Sequence, residues 1–182
     1  YALANVDSVD ITVKGKGGHG AYLHTTIDPV VLASRIVLAL QTVTSREITP
    51  LEPSVITVGS IHGGSKHNII SNEVKLQLTL RSYSPKVRAL QIAAIKRITK
   101  GIAMSAGLPE QLAPEVFVHE DETIPSTYND PALALAMTKS IKQEIGADNV
   151  VKAEPVMAGE DFGMYGRTEH QLPITIFWLG GV

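Results

Sequence analysis

The stretch from Glu73 to Tyr83 constrains this chain more than any other. Val74, Leu76, Leu78 and Leu80 alternate there with Lys75, Gln77, Thr79 and Arg81. Successive strand side chains point to opposite faces, so the pattern is a strand with one apolar and one polar face. A sheet built on such a strand is covered on one side only. Two segments with helical spacing can supply the cover. The first opens at Asp28-Pro29, with Asp28 as N-cap and Pro29 at the first helical position. Its apolar residues Val30, Ala33, Ile36, Val37, Leu40 and Val43 carry the helix to about Arg46. The second opens at Ser84-Pro85, carries Val87, Ala94, Ile95, Ile98 and Ile102, and stops by Gly107.

Three more β segments surround these. Val6 to Lys16 alternates through Val9, Ile11 and Val13 and then meets Gly15, Gly17, Gly18 and Gly20, which reads as a strand running into a flexible loop. Ser54 to Ile61 is β-branched and turns at Gly63-Gly64-Ser65, and Glu115 to His119 is a short strand. The order β-α-β-β-α-β is the ferredoxin-like split unit. The fold class is therefore α+β: a ferredoxin-like domain over residues 1–121, whose first ten residues are a lead-in, then an incomplete α/β segment over 122–182. Asp121 to Asn129 is acidic, contains Pro125 and lacks periodicity, so it reads as a linker. A third helix follows, capped by Asp130-Pro131 and closed by Gly146. A short strand is expected near Val150 and Val151, and an apolar one from Ile174 to Leu179. So few strands cannot close a core, and the segment needs another surface to pack on. A chain that starts Tyr1-Ala2-Leu3 just before a strand pattern reads as part of something longer.

Composition removes several function classes. The net charge is -2, from 16 basic and 18 acidic residues spread along the chain, so no basic face is offered to nucleic acid. With three Phe, one Trp and five Tyr, the strands also lack the exposed aromatics that stack bases. No apolar run approaches the roughly 18 residues that cross a bilayer, so no membrane partner is expected. The absence of Cys excludes disulfides and thiolate metal sites and fits a cytoplasmic protein.

Gly15-Lys16-Gly17-Gly18-His19-Gly20 spells G-x-G-x-x-G, but the context is wrong for a dinucleotide. The next helix starts about eight residues later, too far for its N-terminus to hold a pyrophosphate. His19 has small neighbours on both sides and is free to reach a ligand. His24 follows it, and His62 and His67 flank the second glycine turn; neither pair has the helical spacing of a zinc motif. A site of four histidines from two loops is the metal alternative. Surface hydrogen bonding is the default for His24, His62, His67, His119 and His170. Asn68 offers a carbonyl and two N–H donors, against an ordinary turn role. Arg81 offers a rigid fork that fits a carboxylate, against a solvated strand face. Glu160-Asp161, set among glycines, could bind metal or mark a helix N-terminus.

Four strings occur together in one order: Gly15-Lys16-Gly17-Gly18-His19-Gly20-Ala21 with His24 and Thr26-Ile27-Asp28-Pro29, then His67-Asn68-Ile69-Ile70, then Leu80-Arg81, then Gly159-Glu160-Asp161-Phe162. They resemble the aminoacylase/carboxypeptidase family of metal-dependent amidohydrolases, in the branch with hippurate hydrolase and N-acyl-amino-acid amidohydrolases. The resemblance implies a lid domain that pairs into homodimers, followed by part of a catalytic domain. It implies that His19 reaches a substrate carbonyl and helps hold the oxyanion, and that Asn68 and Arg81 grip the substrate, Arg81 taking its carboxylate. Glu160 would line the active site. The implied substrate is an N-acyl amino acid or small peptide. The implied cofactors are two divalent metal ions (zinc, manganese, nickel or cobalt), whose ligands lie in motifs absent from this chain, so the chain alone is expected to be inactive. Leu23 stands where the branch has Pro, and Ser71-Asn72 where it has Pro-Asp, both beside implied site loops. The competing reading is a stand-alone ferredoxin-like module for dimerisation or small-molecule binding, without catalysis.

Overall fold

The computed structural model describes residues 1–180. The chain forms two compact units, one of Asp7–Thr123 and one of Tyr1–Val6 together with the residues from Ile124 onward.

The first unit is built on β1 (Asn5–Lys14) from Asp7 onward, α1 (Pro29–Thr42), β3 (Ser54–Gly63), β5 (Glu73–Ser82), α2 (Pro85–Ser105) and β6 (Glu115–Val118), with a small ribbon of β2 (Gly18–His19) and β4 (Ile69–Ile70). The main sheet has the order β3-β5-β1-β6. Strand β3 pairs antiparallel with β5 from Ser54↔Ser82 to Gly63↔Val74, and β1 pairs antiparallel with β6 from Val9↔Val118 to Thr12↔Glu115. With one helix between β1 and β3 and another between β5 and β6, this is the ferredoxin-like arrangement that the periodicities predict.

The alternation in β5 decides where the core lies. Val74, Leu76, Leu78 and Leu80 are buried, and so are Val9, Ile11 and Val13 of β1. They meet Leu32, Ile36 and Leu40 of α1 and Val87 and Ile95 of α2 in one cluster. Each such side chain contributes about 1.5–3 kcal/mol by leaving water. Both helices start as expected. Asp28 accepts a hydrogen bond from the Val30 N–H at 2.8 Å, and Ser84 one from the Val87 N–H at 3.2 Å. Helix α1 continues into a wider π-type turn over Val43–Glu47, and Gly107 follows α2 at φ 70°. The buried stripe of α2 is Val87, Gln91, Ala94, Ile95, Thr99 and Ala103, so it includes two polar residues. Ile98 and Ile102 pack only at its margin.

A charged cluster ties three parts of this unit together. Arg88, in the first turn of α2, donates from Nε and Nη2 to both carboxylate oxygens of Asp7 in β1, at 2.8–3.0 Å. The Thr123 hydroxyl donates to the same carboxylate at 2.9 Å, and Arg88 also reaches Glu120 at 2.7 Å. The Asp7 side chain has no exposed surface. Its carboxylate holds the Arg88 guanidinium above an already high ordinary pKa, so Arg88 stays charged.

In the second unit, residues 3–6 pair with 124–127 through antiparallel bridges Leu3↔Thr127 and Val6↔Ile124, and Leu3 bridges Val156 as well. The expected linker over Asp121–Asn129 is thus largely paired, and Thr127 is fully buried. Backbone groups carry this pairing, and side-chain periodicity does not register them. Helix α3 (Pro131–Ile145) starts with Asp130 accepting from the Leu133 N–H at 2.8 Å and is closed by Gly146 at φ 89°. No strand forms at Val150–Val151 or at Ile174–Leu179. The second segment is gripped by an amide: Asn129 donates to the Ile176 carbonyl at 2.9 Å and accepts from its N–H at 3.0 Å. A strand needs a neighbouring ladder, and this amide together with the Asp130 N–H, which donates to the Ile174 carbonyl at 2.8 Å, supplies only isolated links. None of the α3 side chains is buried. Among the described residues no helix is long and apolar enough to cross a membrane.

Candidate functional site

The glycine loop after β1 and the loop before β5 are stitched into one ribbon. Gly18 pairs with Ile70 and His19 with Ile69. The Gly20 N–H donates to the Asn68 carbonyl at 2.8 Å, and the Gly15 N–H to the Asn72 carbonyl at 2.7 Å. The Asn72 side chain adds a third link by accepting from the Gly17 N–H at 2.9 Å. A β-carbon on Gly17 would lie 2.7 Å from the Ile70 carbonyl oxygen, and one on Gly15 would strike that of Ile27. Among the described residues the glycines with positive φ are Gly64, Gly107 and Gly146. The expectation of a flexible loop is therefore corrected: Gly15 and Gly17 are there because backbones approach closely, not because the chain must bend through the left-handed region.

His19 is exposed on this ribbon. Its Nδ1 accepts a hydrogen bond from the Ala21 N–H at 3.1 Å and so caps a 3₁₀ turn over Gly20–Thr25. The Tyr22 ring stands edge-on to the imidazole, 5.9 Å between centroids. A nitrogen that accepts a backbone hydrogen bond carries no proton, so the neutral ring holds its proton on Nε2. That leaves an oriented N–H donor on an exposed edge.

Asn68 lies beside His19, its carbonyl used by the loop and its side chain exposed. Arg81 sits in the same unit, half-buried near the end of β5 on the polar face, opposite Val55 of β3. Glu160 belongs to the other unit, where its carboxylate accepts from the Asp161 N–H at 2.9 Å and caps a 3₁₀ segment over Asp161–Arg167. That is the helix-start alternative for Glu160-Asp161. Among the described residues no three of His, Asp and Glu converge as metal ligands, so the four-histidine alternative is not formed.

Sequence reasoning passed over two residues. Asn72 entered only as a departure from a Pro-Asp pattern, yet it binds the loop that carries His19. Gln91 interrupts the apolar stripe of α2 one turn after Val87, and that interruption was the available signal.

The family model of the peptidase dimerisation domain matches residues 1–104. The chain is 36% identical over 179 residues to an N-acetyldiaminopimelate deacetylase of Shouchella clausii, covering 98% of this chain and 45% of that protein. It is 35% identical over 178 residues to thermostable carboxypeptidase 1 of Saccharolobus solfataricus, covering 98% of this chain and 42% of that one. The chain thus spans less than half the length of these relatives. Among solved structures, one from methicillin-resistant Staphylococcus aureus aligns with a TM-score of 0.78 and 32% identity over 92% of this chain and 41% of its own. A dinuclear metal binding peptidase of the M20 family from Bacillus subtilis aligns with a TM-score of 0.69 and 24% identity, over 94% of this chain and 39% of its own.

Proposed function

Because the chain belongs to the M20 family of peptidase dimerisation domains, we propose that it is the pairing, substrate-gripping lid of a metal-dependent amidohydrolase acting on N-acyl amino acids or small peptides. The observation that carries this reading is the His19 imidazole, held by the Ala21 N–H as the Nε2–H tautomer on the ribbon shared with Asn68. A fixed N–H donor of that kind stabilises a carbonyl oxygen as it takes on negative charge when the amide is attacked. Asn68 adds donors beside it, and Arg81 suits the free carboxylate of an N-acyl amino acid. Glu160 would contact substrate within the catalytic domain to which the segment after the lid belongs.

The divalent metals of the reaction would activate water and polarise the amide. Among the described residues no cluster of three or more His, Asp and Glu side chains forms that would fit a metal pair. On this reading the metal ligands come from elsewhere in the parent hydrolase, and this chain alone would not turn over substrate.

Pairing of two lids has a surface to use. Strand β3 is the long open edge of the sheet, ten residues against four in β6. A groove between it and α1 is lined by Ser34, Val37, Leu38, Val58, Ser60 and Ile61, with Leu38 72% exposed. An open edge beside exposed apolar side chains is a template for a second chain, and a two-fold dimer would use the same edge twice.

The test is kinetic, in the hydrolase that carries this chain, with hippurate and N-acetyl amino acids as substrates. His19→Ala should lower kcat about 10²–10³-fold, the usual loss of one oxyanion donor. Arg81→Ala should raise KM for carboxylate-bearing substrates. An unchanged kcat in the first variant rejects the oxyanion role, and an unchanged KM in the second rejects the anchor.

A further inference from the structure

Gln91 is fully buried in α2, among the side chains that face the sheet. Its Nε2 lies 3.1 Å from the Arg81 carbonyl of β5, 3.1 Å from the Val55 carbonyl of β3 and 2.9 Å from the Ser54 hydroxyl. Val55 and Arg81 are register partners, so one amide group spans a single rung of the β3–β5 pair from behind. The orientation is settled chemically: turning the amide over would set its oxygen against two carbonyl oxygens. The two N–H groups serve three acceptors, so one of them is shared; Ser54 can accept because its own hydroxyl proton can go to that of Thr44, 3.3 Å away. The Gln91 Oε1 is buried and has no hydrogen-bond partner among the described residues. A buried amide that leaves its own oxygen unanswered is costly at a position where Leu or Met would pack. Its donor side is what the site uses.

The residue clamped in this way is Arg81, whose side chain leaves the sheet on the polar face while Gln91 holds its carbonyl from the helix face. We infer that Gln91 is a positioning residue: it fixes the Val55–Arg81 rung and thereby the root of the Arg81 guanidinium. The inference rests on the reading of Arg81 as the carboxylate anchor, and deepens it by naming what holds the anchor in place. A fork that must meet a carboxylate with two parallel N–H groups tolerates little displacement of its base.

The experiment is NMR on the labelled full chain, following the Arg81 carbonyl carbon and the Arg81 Nε–Hε signal during titration with hippurate. Gln91→Met keeps the size of the side chain and removes its donors. It should move both Arg81 signals and weaken hippurate about tenfold, within what small misplacements cost. Thr99→Val is the control: Thr99 is buried in the same helix but bonds only within it, to the Ile95 and Lys96 carbonyls. It should lower stability and leave Arg81 unmoved. A folded Gln91→Met chain with unchanged Arg81 signals overturns the inference, as does an equal change in Thr99→Val. If Gln91→Met does not fold, the coupling across the hydrogen bond from Gln91 Nε2 to the Arg81 carbonyl carbon decides in the unaltered chain: its presence supports the clamp and its absence overturns it. Hippurate that binds Arg81→Ala as well as the unaltered chain, or that leaves Arg81 untouched, removes the anchor reading instead; the carbonyl shift then decides the clamp alone.

Discussion

Asp7 illustrates how much a single side chain can hold. Its carboxylate has no exposed surface and is met by the Arg88 fork and the Thr123 hydroxyl. Removing one partner of a buried pair leaves an uncompensated charge, which costs far more than the pair contributes. Arg88→Ala is therefore expected to destabilise the chain by about 3–5 kcal/mol, whereas replacing both residues by apolar ones of similar size should be close to neutral. Urea unfolding of the two variants checks this, and a loss well below 1 kcal/mol in Arg88→Ala would show that the cluster is solvated rather than buried. At this scale the sequence was legible for where a residue sits. His19 between glycines and Arg81 on a polar strand face could be singled out by type and position. Asp7 gave no such signal and Gln91 only its break in the apolar stripe of α2, because nothing in a linear string says that Asp7 meets Arg88 or that Gln91 reaches across to β3.

Among the elements, those with strong periodicity were read correctly. Helices α1, α2 and α3 start at their Asp or Ser caps, and β5 follows its alternation. The errors fell where backbone pairing or close approach decides. The glycine loop looked flexible by composition, yet it is laced to the loop before β5 by Gly15, Gly17 and Gly20. Residues 124–127 looked like a linker, yet they pair with residues 3–6. The apolar run Ile174–Leu179 looked like a strand, but an isolated run cannot show from sequence whether a ladder will meet it. The ribbon carries its own expectation. Asn72→Ala removes the acceptor of the Gly17 N–H but keeps the backbone carbonyl that serves Gly15. Amide exchange should rise at Gly17 and stay unchanged at Gly15, and Asn72→Asp, which keeps the acceptor oxygen, should restore protection. Equal protection at Gly17 in Asn72→Ala would mean that the side chain is not the latch described above.

For the whole molecule, the family and the fold point to the same kind of part. The curated relatives it matches are hydrolases more than twice as long, and the region of this chain that matches the family model is the dimerisation domain. The sequence offered no patch for that pairing, because Leu38 and Ile61 belong to elements whose neighbours become visible only once β3 is placed at the sheet edge. Leu38 and Ile61, both more than half exposed, flank the edge that a second copy would extend. An isologous contact is doubly sensitive, since one substitution appears on both sides of the interface. The most direct test of the lid reading is sedimentation equilibrium of the 182-residue chain beside its Leu38→Glu variant. The unaltered chain should sediment as a dimer of twice its 19.5 kDa mass, and the variant as a folded monomer. A chain that stays monomeric at every concentration, or a Leu38→Glu variant that pairs as tightly as the original, would contradict it.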